Sequence, residues 1–205
     1  MPSVHNIQAV KIALRKCMQK KLSALSREEK KRQSDKVLKM LFALPVFQKS
    51  KRVSVYLSTD YEVSTVPILK YIFENGKSCF VPRYSKNDME MVLLRSMKDW
   101  ETLPMTKWNI KQPDLIEYRE NAFDGGGLDL LIVPGTAFTP EGDRMGHGKG
   151  FYDMFLTKLK KQQSHAAATV ALAYKEQVLS EIPLEDHDVK IDLILYDDSS
   201  DNANL

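Results

Sequence analysis

The alternation of apolar and polar positions along the chain predicts helices separated by short strands. Residues 7–22 carry apolar side chains at helical spacing, with lysines on the opposite side. Ser26, followed three residues later by Glu29, forms a capping-box signature for a second helix at residues 27–44, which Pro45 is predicted to end. Two further helices are predicted at residues 67–75 and 151–162.

Short apolar segments between these helices predict β-strands. They lie at residues 52–58, 79–83, 89–95, 128–135, 168–174 and 191–196. The strongest is LDLLIVPG at 128–135, a continuous apolar run that is typical of a strand covered on both faces of a parallel sheet. The segment 89–95 is rich in methionine, so a helix stays open as its alternative.

Strands that alternate with helices predict an α/β fold with three layers and a mostly parallel sheet. We expect one domain over residues 1–205, with a polar tail at 196–205. Residues 99–127 contain Pro104 and Pro113 and lack a regular period, so a long surface loop is predicted there. Trp108 in this loop could stack on a planar ring or anchor the loop to the core.

The segment DRMGHGKGFYD, residues 143–153, follows the strongest strand and opens a predicted helix. Glycines at every second position let the backbone approach an anion, and a helix N-terminus attracts one. Lys149 and Arg144 add positive charge beside them. The spacing fits neither a Walker A loop nor a dinucleotide fingerprint, so anion binding and a merely tight turn both stay open.

Several charged or aromatic positions allow a functional and a structural interpretation. Lys11 and Arg15 lie four residues apart on one helix face and could clamp a polyphosphate or simply face water. Arg83 and Tyr84 directly follow a strand, where ligands gather in parallel sheets, but a surface turn is the equal alternative.

Three carboxylates raise the same question for a metal ion. Asp153 falls in the first turn of a predicted helix, where the helix dipole favours an acidic residue with or without a metal. Asp188 and Asp192 precede or begin the last strand and could hold Mg²⁺ together with Asp153, although turn capping explains them too.

Composition narrows the partners. Thirty Lys and Arg residues against 27 Asp and Glu residues give a formal charge of +3, too small to indicate a nucleic-acid-binding protein. Cys17 and Cys79 lie far apart without metal-ligand spacing, and no apolar run reaches membrane-spanning length. We expect a cytoplasmic protein that binds small molecules and neither nucleic acid nor membranes. The basic N-terminal segment leaves a mitochondrial protein as the alternative.

Eight segments distributed along nearly the whole chain carry a family resemblance: KIALRK, KRVSVYLSTDYEV, CFVPRY, KWNIKQP, GGLDLLIVPGTAF, GDRMGHGKGFYD, ALAYKEQ and DVKIDLILY. Together they resemble the 5-formyltetrahydrofolate cyclo-ligase family, also called methenyltetrahydrofolate synthetases. The resemblance implies a NagB/RpiA/CoA-transferase-like α/β fold and a monomer. It also implies that ATP and Mg²⁺ are used to convert 5-formyltetrahydrofolate into 5,10-methenyltetrahydrofolate, with release of ADP and phosphate.

The resemblance further implies roles for individual residues. The implied ATP contacts are Lys11, Arg15, Arg144, Met145, Gly146, His147, Gly148, Lys149, Gly150, Phe151 and Tyr152. The implied folate contacts are Leu57, Glu62, Tyr84, Trp108, Gly148, Lys149, Gly150 and Phe151. The implied catalytic residues are Lys149 and Arg144, and the implied magnesium ligands are Asp153 and Asp188.

Two departures from the family pattern leave alternatives. His147 stands where close relatives have arginine, and Phe151 stands where they have tyrosine. A catalytically silent folate-binding protein, or another phosphate-handling enzyme on the same fold, therefore stays open beside the cyclo-ligase.

Overall fold

The computed structural model describes residues 4–106 and 109–198, with side chains from residue 6 onward. Its helices are α1 (Val4–Ala24), α2 (Arg27–Ala43), α3 (Pro45–Lys49), α4 (Val66–Glu74), α5 (Met97–Thr102) and α6 (Phe151–Gln162). Its strands are β1 (Arg52–Val55), β2 (Ser78–Tyr84), β3 (Met89–Leu94), β4 (Leu130–Val133), β5 (Ala137–Phe138), β6 (Arg144–Met145), β7 (Ala168–Leu172) and β8 (Leu193–Leu195).

Six strands form one sheet in the order β3-β2-β1-β4-β7-β8. β3 pairs antiparallel with β2, and all other neighbours pair parallel. The predicted mostly parallel sheet is therefore confirmed. β5 and β6 form a separate antiparallel hairpin, which the sequence patterns did not predict.

Alternate residues of each central strand bury their side chains on opposite faces of the sheet. Leu130 and Ile132 of β4 pack into a core cluster with α2, α3 and α4, whereas Leu131 and Val133 pack against α6. Helices thus cover both faces, as the three-layer prediction requires.

Three local predictions need correction. Pro45 does follow the end of α2, but it also begins α3, because proline is well tolerated in the first turn of a helix. The predicted loop at 99–127 overlaps α5, which Ser96 caps by accepting a hydrogen bond from Asp99 N. The alternative of a helix at 89–95 is wrong, because β3 pairs with β2 along its whole length.

The start of the predicted polar tail is also part of the folded structure. Asp197 is buried and its carboxylate pairs with Arg32, at 2.7 Å, and with Lys36, both on α2. A buried carboxylate needs such partners, so residue 197 is fixed to the helix layer. Residues 199–205 of the predicted tail lie outside the described residues.

The parallel strands place their carboxyl ends along one edge of the sheet, where ligands bind in folds of this type. The segments that follow β1, β4 and β7 all leave the sheet at this edge. Within the described ranges, no helix combines the length and the apolar character needed to cross a bilayer.

Candidate functional site

The glycine-rich loop leads from the β5–β6 hairpin into α6. Gly148 and Gly150 have φ angles of 102° and 67°, in the left-handed region that only glycine enters without strain, and Gly150 is the N-cap of α6. Gly146 is not among the glycines with positive φ. The loop therefore exposes backbone N–H groups at a helix N-terminus, where an anion is favoured.

A cleft lies between α1, the glycine-rich loop, the start of α6 and the segment 185–188. We call it the charged cleft and define it by Lys11, Arg15, Gly148, Asp153, Glu185 and Asp188. A second, larger cavity of about 550 Å³ adjoins it along α6 and shares Gly150, Asp153 and His187 with it. The structure thus brings together the predicted phosphate contacts of α1 and both predicted metal carboxylates.

Lys11 crosses from α1 to the segment 185–188. Its ammonium donates to Glu185 Oε2 at 2.8 Å and to Asp188 Oδ2 at 2.6 Å, and only 4% of the residue is exposed. The hydrogen bond from Lys11 holds the pKa of the Glu185 carboxyl below its ordinary value. The ammonium therefore lies between two carboxylate side chains.

Arg144 of β6 forms the second ion pair of this region. Its Nη2 donates to Asp153 Oδ2 at 2.8 Å, and its Nη1 donates to the Pro134 carbonyl at 3.2 Å. Asp153 Oδ1 accepts from the backbone N–H of Val189 at 3.1 Å. Among the described residues, Arg144 Nε is buried without a hydrogen-bond partner, so the guanidinium retains one unused donor.

Arg15 and Lys149 contribute the remaining positive charges. Arg15 Nε donates to the Gly146 carbonyl at 2.9 Å, and a Cβ on Gly148 would lie 3.3 Å from Arg15 Cζ. The close contact explains why residue 148 has no side chain. Lys149 is exposed and has no ion-pair partner among residues 4–106 and 109–198.

The other side of the glycine-rich loop meets the segment after β1. Glu62 Oε2 accepts from Thr59 N and Thr59 Oγ1, each at 2.9 Å. Glu62 Oε1 lies 3.4 Å from His147 Nε2, and His147 Nδ1 lies 3.5 Å from Thr136 Oγ1. Both histidine contacts are long for hydrogen bonds, so Oε1 keeps most of its capacity to accept.

Aromatic side chains complete this side of the loop. The rings of Tyr84 and Phe151 lie with their centroids 5.5 Å apart. The Tyr152 hydroxyl is buried near the Tyr84 side chain, but the two side chains do not have the geometry of a hydrogen bond. Burial raises the pKa of the Tyr84 and Tyr152 hydroxyls, so both stay protonated and can donate. Leu57 is buried just after β1, and Trp108 lies outside the described residues.

The two carboxylates predicted to bind Mg²⁺ line the same cleft, and the residues present fit such an ion. Mg²⁺ in proteins is commonly held by one or two carboxylates together with substrate phosphates and water. Asp153 and Asp188 supply that donor type and number. No group of three or more metal-binding side chains occurs within the described part of the chain, so the fit is to a metal ion that arrives with a phosphate ligand.

Two other predicted alternatives have structural roles instead. Asp192 accepts from Thr169 N and Thr169 Oγ1, each at 2.8 Å, and so joins the start of the last strand to β7. Arg83 lies within β2, is buried and pairs with Glu90 at 2.8 Å, so it is not part of a surface turn.

Sequence reasoning missed Glu185 and Gln8. Gln8 Nε2 donates to both Glu185 carboxylate oxygens at 2.8 Å, which supports the carboxylate that binds Lys11. The sequence contains one signal, the acidic segment LEDHD, whose aspartates are typical of a turn. In the structure the Glu185 backbone N–H donates to Asp188 Oδ2 in this turn.

Comparisons with known proteins agree on one family. The sequence profile of the 5-formyltetrahydrofolate cyclo-ligase family matches residues 7–197. The Mus musculus 5-formyltetrahydrofolate cyclo-ligase is 44% identical over 195 residues, which cover 94% of this chain and 96% of that protein. A Caenorhabditis elegans protein named as a probable 5-formyltetrahydrofolate cyclo-ligase is 38% identical over 93% of this chain and 94% of its own length.

A solved structure shows the same fold. The structure of Aquifex aeolicus 5,10-methenyltetrahydrofolate synthetase superposes with a TM-score of 0.73 at 32% sequence identity. The superposition covers 91% of this chain and 89% of the other. The fold described above is therefore shared with that protein.

Proposed function

The chain belongs to the 5-formyltetrahydrofolate cyclo-ligase family, and we propose that it carries out the reaction of that family at the charged cleft. Membership makes it an enzyme, a ligase that acts on 5-formyltetrahydrofolate with ATP as co-substrate. One observation carries the assignment of the site. Lys11 and Arg15 line the charged cleft together with the glycine-rich loop, and Arg144 Nη1 lies beside Gly146 of that loop, as a polyphosphate would require.

The chemistry explains why the enzyme needs phosphate-binding groups. An N-formyl group is an amide, and its oxygen cannot leave as oxide. Transfer of the γ-phosphoryl group to the formyl oxygen breaks the bond from phosphorus to ADP and forms a phosphate ester. N10 of the folate then attacks the formyl carbon, phosphate leaves with the bonding electron pair, and N10 loses its proton to give the methenyl product.

Positive charge and backbone N–H groups stabilise such a transfer, because charge develops on the oxygens of the moving phosphoryl group. Lys149 is exposed beside the cleft and pairs with no carboxylate among the described residues, so its ammonium is available to interact with the charge that develops on the phosphoryl oxygens. Arg144 has an unused donor at Nε. We assign both side chains to the phosphoryl-transfer step.

Asp153 and Asp188 would hold Mg²⁺ together with the ATP phosphates. When bound, the ion neutralises phosphate charge and polarises the phosphorus–oxygen bonds. The chain itself contributes the position of the two carboxylates, which α6 and the turn at 185–188 fix.

The folate is placed on the other side of the glycine-rich loop. Among residues 4–106 and 109–198, Glu62 Oε1 has only one long contact, to His147, and it can accept from the amino and ring N–H groups of a pterin. Tyr84 and Phe151 would form an aromatic wall for the planar rings, and Leu57 an apolar one. In this arrangement the loop separates the pterin from the phosphates and allows the formyl oxygen to meet the γ-phosphoryl group.

The test is to mix the purified protein with 5-formyltetrahydrofolate and MgATP and to follow the near-ultraviolet absorbance of the conjugated methenyl product. A rise that needs both ATP and Mg²⁺ is expected. Folate binding without any rise would identify a silent binding protein. Turnover of another phosphate substrate without nucleotide would identify a different enzyme on this fold.

A further inference from the structure

The two carboxylates assigned to Mg²⁺ are each paired with a cation assigned to the ATP phosphates. Asp188 binds Lys11 at 2.6 Å, and Asp153 binds Arg144 at 2.8 Å. All four groups are mostly buried, with side chains 2% to 12% exposed. The two sets of ligand-binding charges therefore neutralise each other while no ligand is bound.

We propose that Lys11 stands in for the divalent cation in the nucleotide-free protein, and that metal and nucleotide bind by an exchange of ion-pair partners. The Lys11 ammonium leaves Asp188 for a phosphate as the metal ion takes up the carboxylate. Glu185 is a positioning residue in this exchange, because it holds Lys11 in place before the exchange. The inference rests on the proposed function, since it assumes that the charged cleft receives a metal–nucleotide complex.

The position of Lys11 is that of a bound cation and not that of a surface ion pair. Its Nζ touches one oxygen from each of two carboxylates, Glu185 and Asp188, whose side chains are 15% and 12% exposed. Two ionised carboxylates this close repel each other unless a cation lies between them. Without the ammonium, the pair would attract another cation.

Neither ligand alone can bind without leaving a charge unpaired. A polyphosphate that drew Lys11 away would leave Asp188 and Glu185 unpaired next to its own negative charge. A metal ion alone would place its charge beside the Lys11 ammonium and the Arg144 guanidinium. Bound together, the metal ion supplies a new partner for Asp188 and the phosphate supplies one for Lys11, while Glu185 keeps its hydrogen bonds from Gln8. By linkage, each must strengthen the binding of the other.

The experiment measures Mn²⁺ binding in the absence of nucleotide, from the loss of the electron paramagnetic resonance signal of free Mn²⁺. Mn²⁺ is the probe because it accepts the same carboxylate ligands as Mg²⁺. The variant Lys11→Met removes the stand-in cation, and Lys11→Gln is a second neutral variant that keeps a donor for the carboxylates. Lys11→Arg keeps the charge, and Lys16→Met removes an exposed lysine from the same helix.

We expect both neutral variants at position 11 to bind Mn²⁺ about ten-fold more tightly than the wild type, because one repelling charge is gone and two carboxylates are unpaired. Lys11→Arg and Lys16→Met should match the wild type. Equal Mn²⁺ affinity in the wild type and in a folded neutral variant, either Lys11→Met or Lys11→Gln, would overturn the exchange.

A parallel measurement separates this failure from a failure of the proposed function. Equilibrium dialysis of a non-hydrolysable ATP analogue, with and without Mg²⁺, reports nucleotide binding by the wild type. Retention that strengthens with Mg²⁺ is expected. If the analogue is retained with Mg²⁺ but Mn²⁺ affinity is the same in all variants, the exchange alone is wrong. If the analogue is not retained even with Mg²⁺, the nucleotide site and the exchange are both wrong.

Discussion

Two buried arginines of this protein form similar ion pairs, in different surroundings. Arg119 belongs to the segment between α5 and β4, is 6% exposed, and binds Asp99 and Glu117. All five of its N–H donors are used: two bind Glu117, two bind Asp99 and one binds the Leu93 carbonyl. Arg144 is 3% exposed, and within the described part of the chain it uses only Nη1 and Nη2, while its Nε has no partner.

The difference distinguishes an ion pair with a structural role from an ion pair that is proposed to bind a ligand. Both arginines have carboxylate partners at 2.6 to 2.8 Å, so distance alone does not separate them. Arg119 has no bonding capacity left, whereas Arg144 keeps an unused donor, and its partner Asp153 lines the charged cleft. A buried polar group without a partner in a native protein calls for an explanation, and the proposed phosphate ligand would provide one here.

The largest effect on the cleft side of this comparison is expected from Lys149→Ala. Turnover should fall about 10²- to 10³-fold, because the charge of Lys149 acts on the phosphoryl group during its transfer. Folate affinity and the melting temperature should hardly change, since the side chain is exposed. The methenyl absorbance assay measures turnover, and folate titration measures affinity. Lys160→Ala, an exposed lysine on α6, is the matched control. An unchanged rate would remove Lys149 from the mechanism.

The largest effect on the structural side is expected from Arg119→Met. The free energy of unfolding should fall by about 3 kcal/mol, because two carboxylates lose a buried partner. Turnover per folded molecule should stay the same. Urea denaturation gives the stability. Arg95→Met removes a half-exposed arginine that also binds Glu117, and it should cost about 0.5 kcal/mol or less. Loss of turnover in folded Arg119→Met would mean that the two arginines do not differ as described.

A smaller effect is expected from Asp153→Asn, which tests the metal side of the cleft. The Mg²⁺ concentration for half-maximal turnover should rise about ten-fold, because an amide is a weaker ligand for Mg²⁺ than a carboxylate. Asp186→Asn, at an exposed position beside the cleft, is the control. A variant that loses thermal stability but keeps its Mg²⁺ requirement would make Asp153 only the structural partner of Arg144.

The smallest effect is expected in the pH dependence of the free energy of unfolding. The hydrogen bonds from Arg119 lower the pKa of Asp99 below 3.8 and that of Glu117 below 4.5. Their contribution to stability is therefore fully present above about pH 5 and is lost as the pH falls through the lowered pKa values of the folded protein. The stability difference between wild type and Arg119→Met should narrow as the pH falls from 5 to 3. A constant difference in urea denaturation across this range would contradict the assignment.

The main elements of the fold could be predicted because their apolar patterns or capping residues are distinct. β4 is apolar at every position, and the cap at Ser26 marks the start of α2. The elements that were missed are short. α5 buries no residue and has six, and β5 and β6 have two residues each, so none of them repeats an apolar period. Their positions depend on tertiary contacts.

The candidate site could be predicted from its residue types but not from their pairing. The glycine-rich loop and its basic residues indicate anion binding before any coordinates are known. Nothing in the sequence shows that Lys11 binds Glu185, or that His147 approaches Glu62, because these pairs come from distant segments. The order of the strands in the sheet decides which segments meet.

The ion pair between Lys11 and Asp188 joins residues that are 177 positions apart in the chain. A ribosome needs roughly 9 to 35 seconds to cover that distance. Arg15 of α1 likewise reaches its partner Gly146 only after a further 131 residues have been synthesised. The charged cleft therefore closes only when synthesis has passed residue 188, and a shorter nascent chain cannot be stabilised by the nucleotide that the finished enzyme binds.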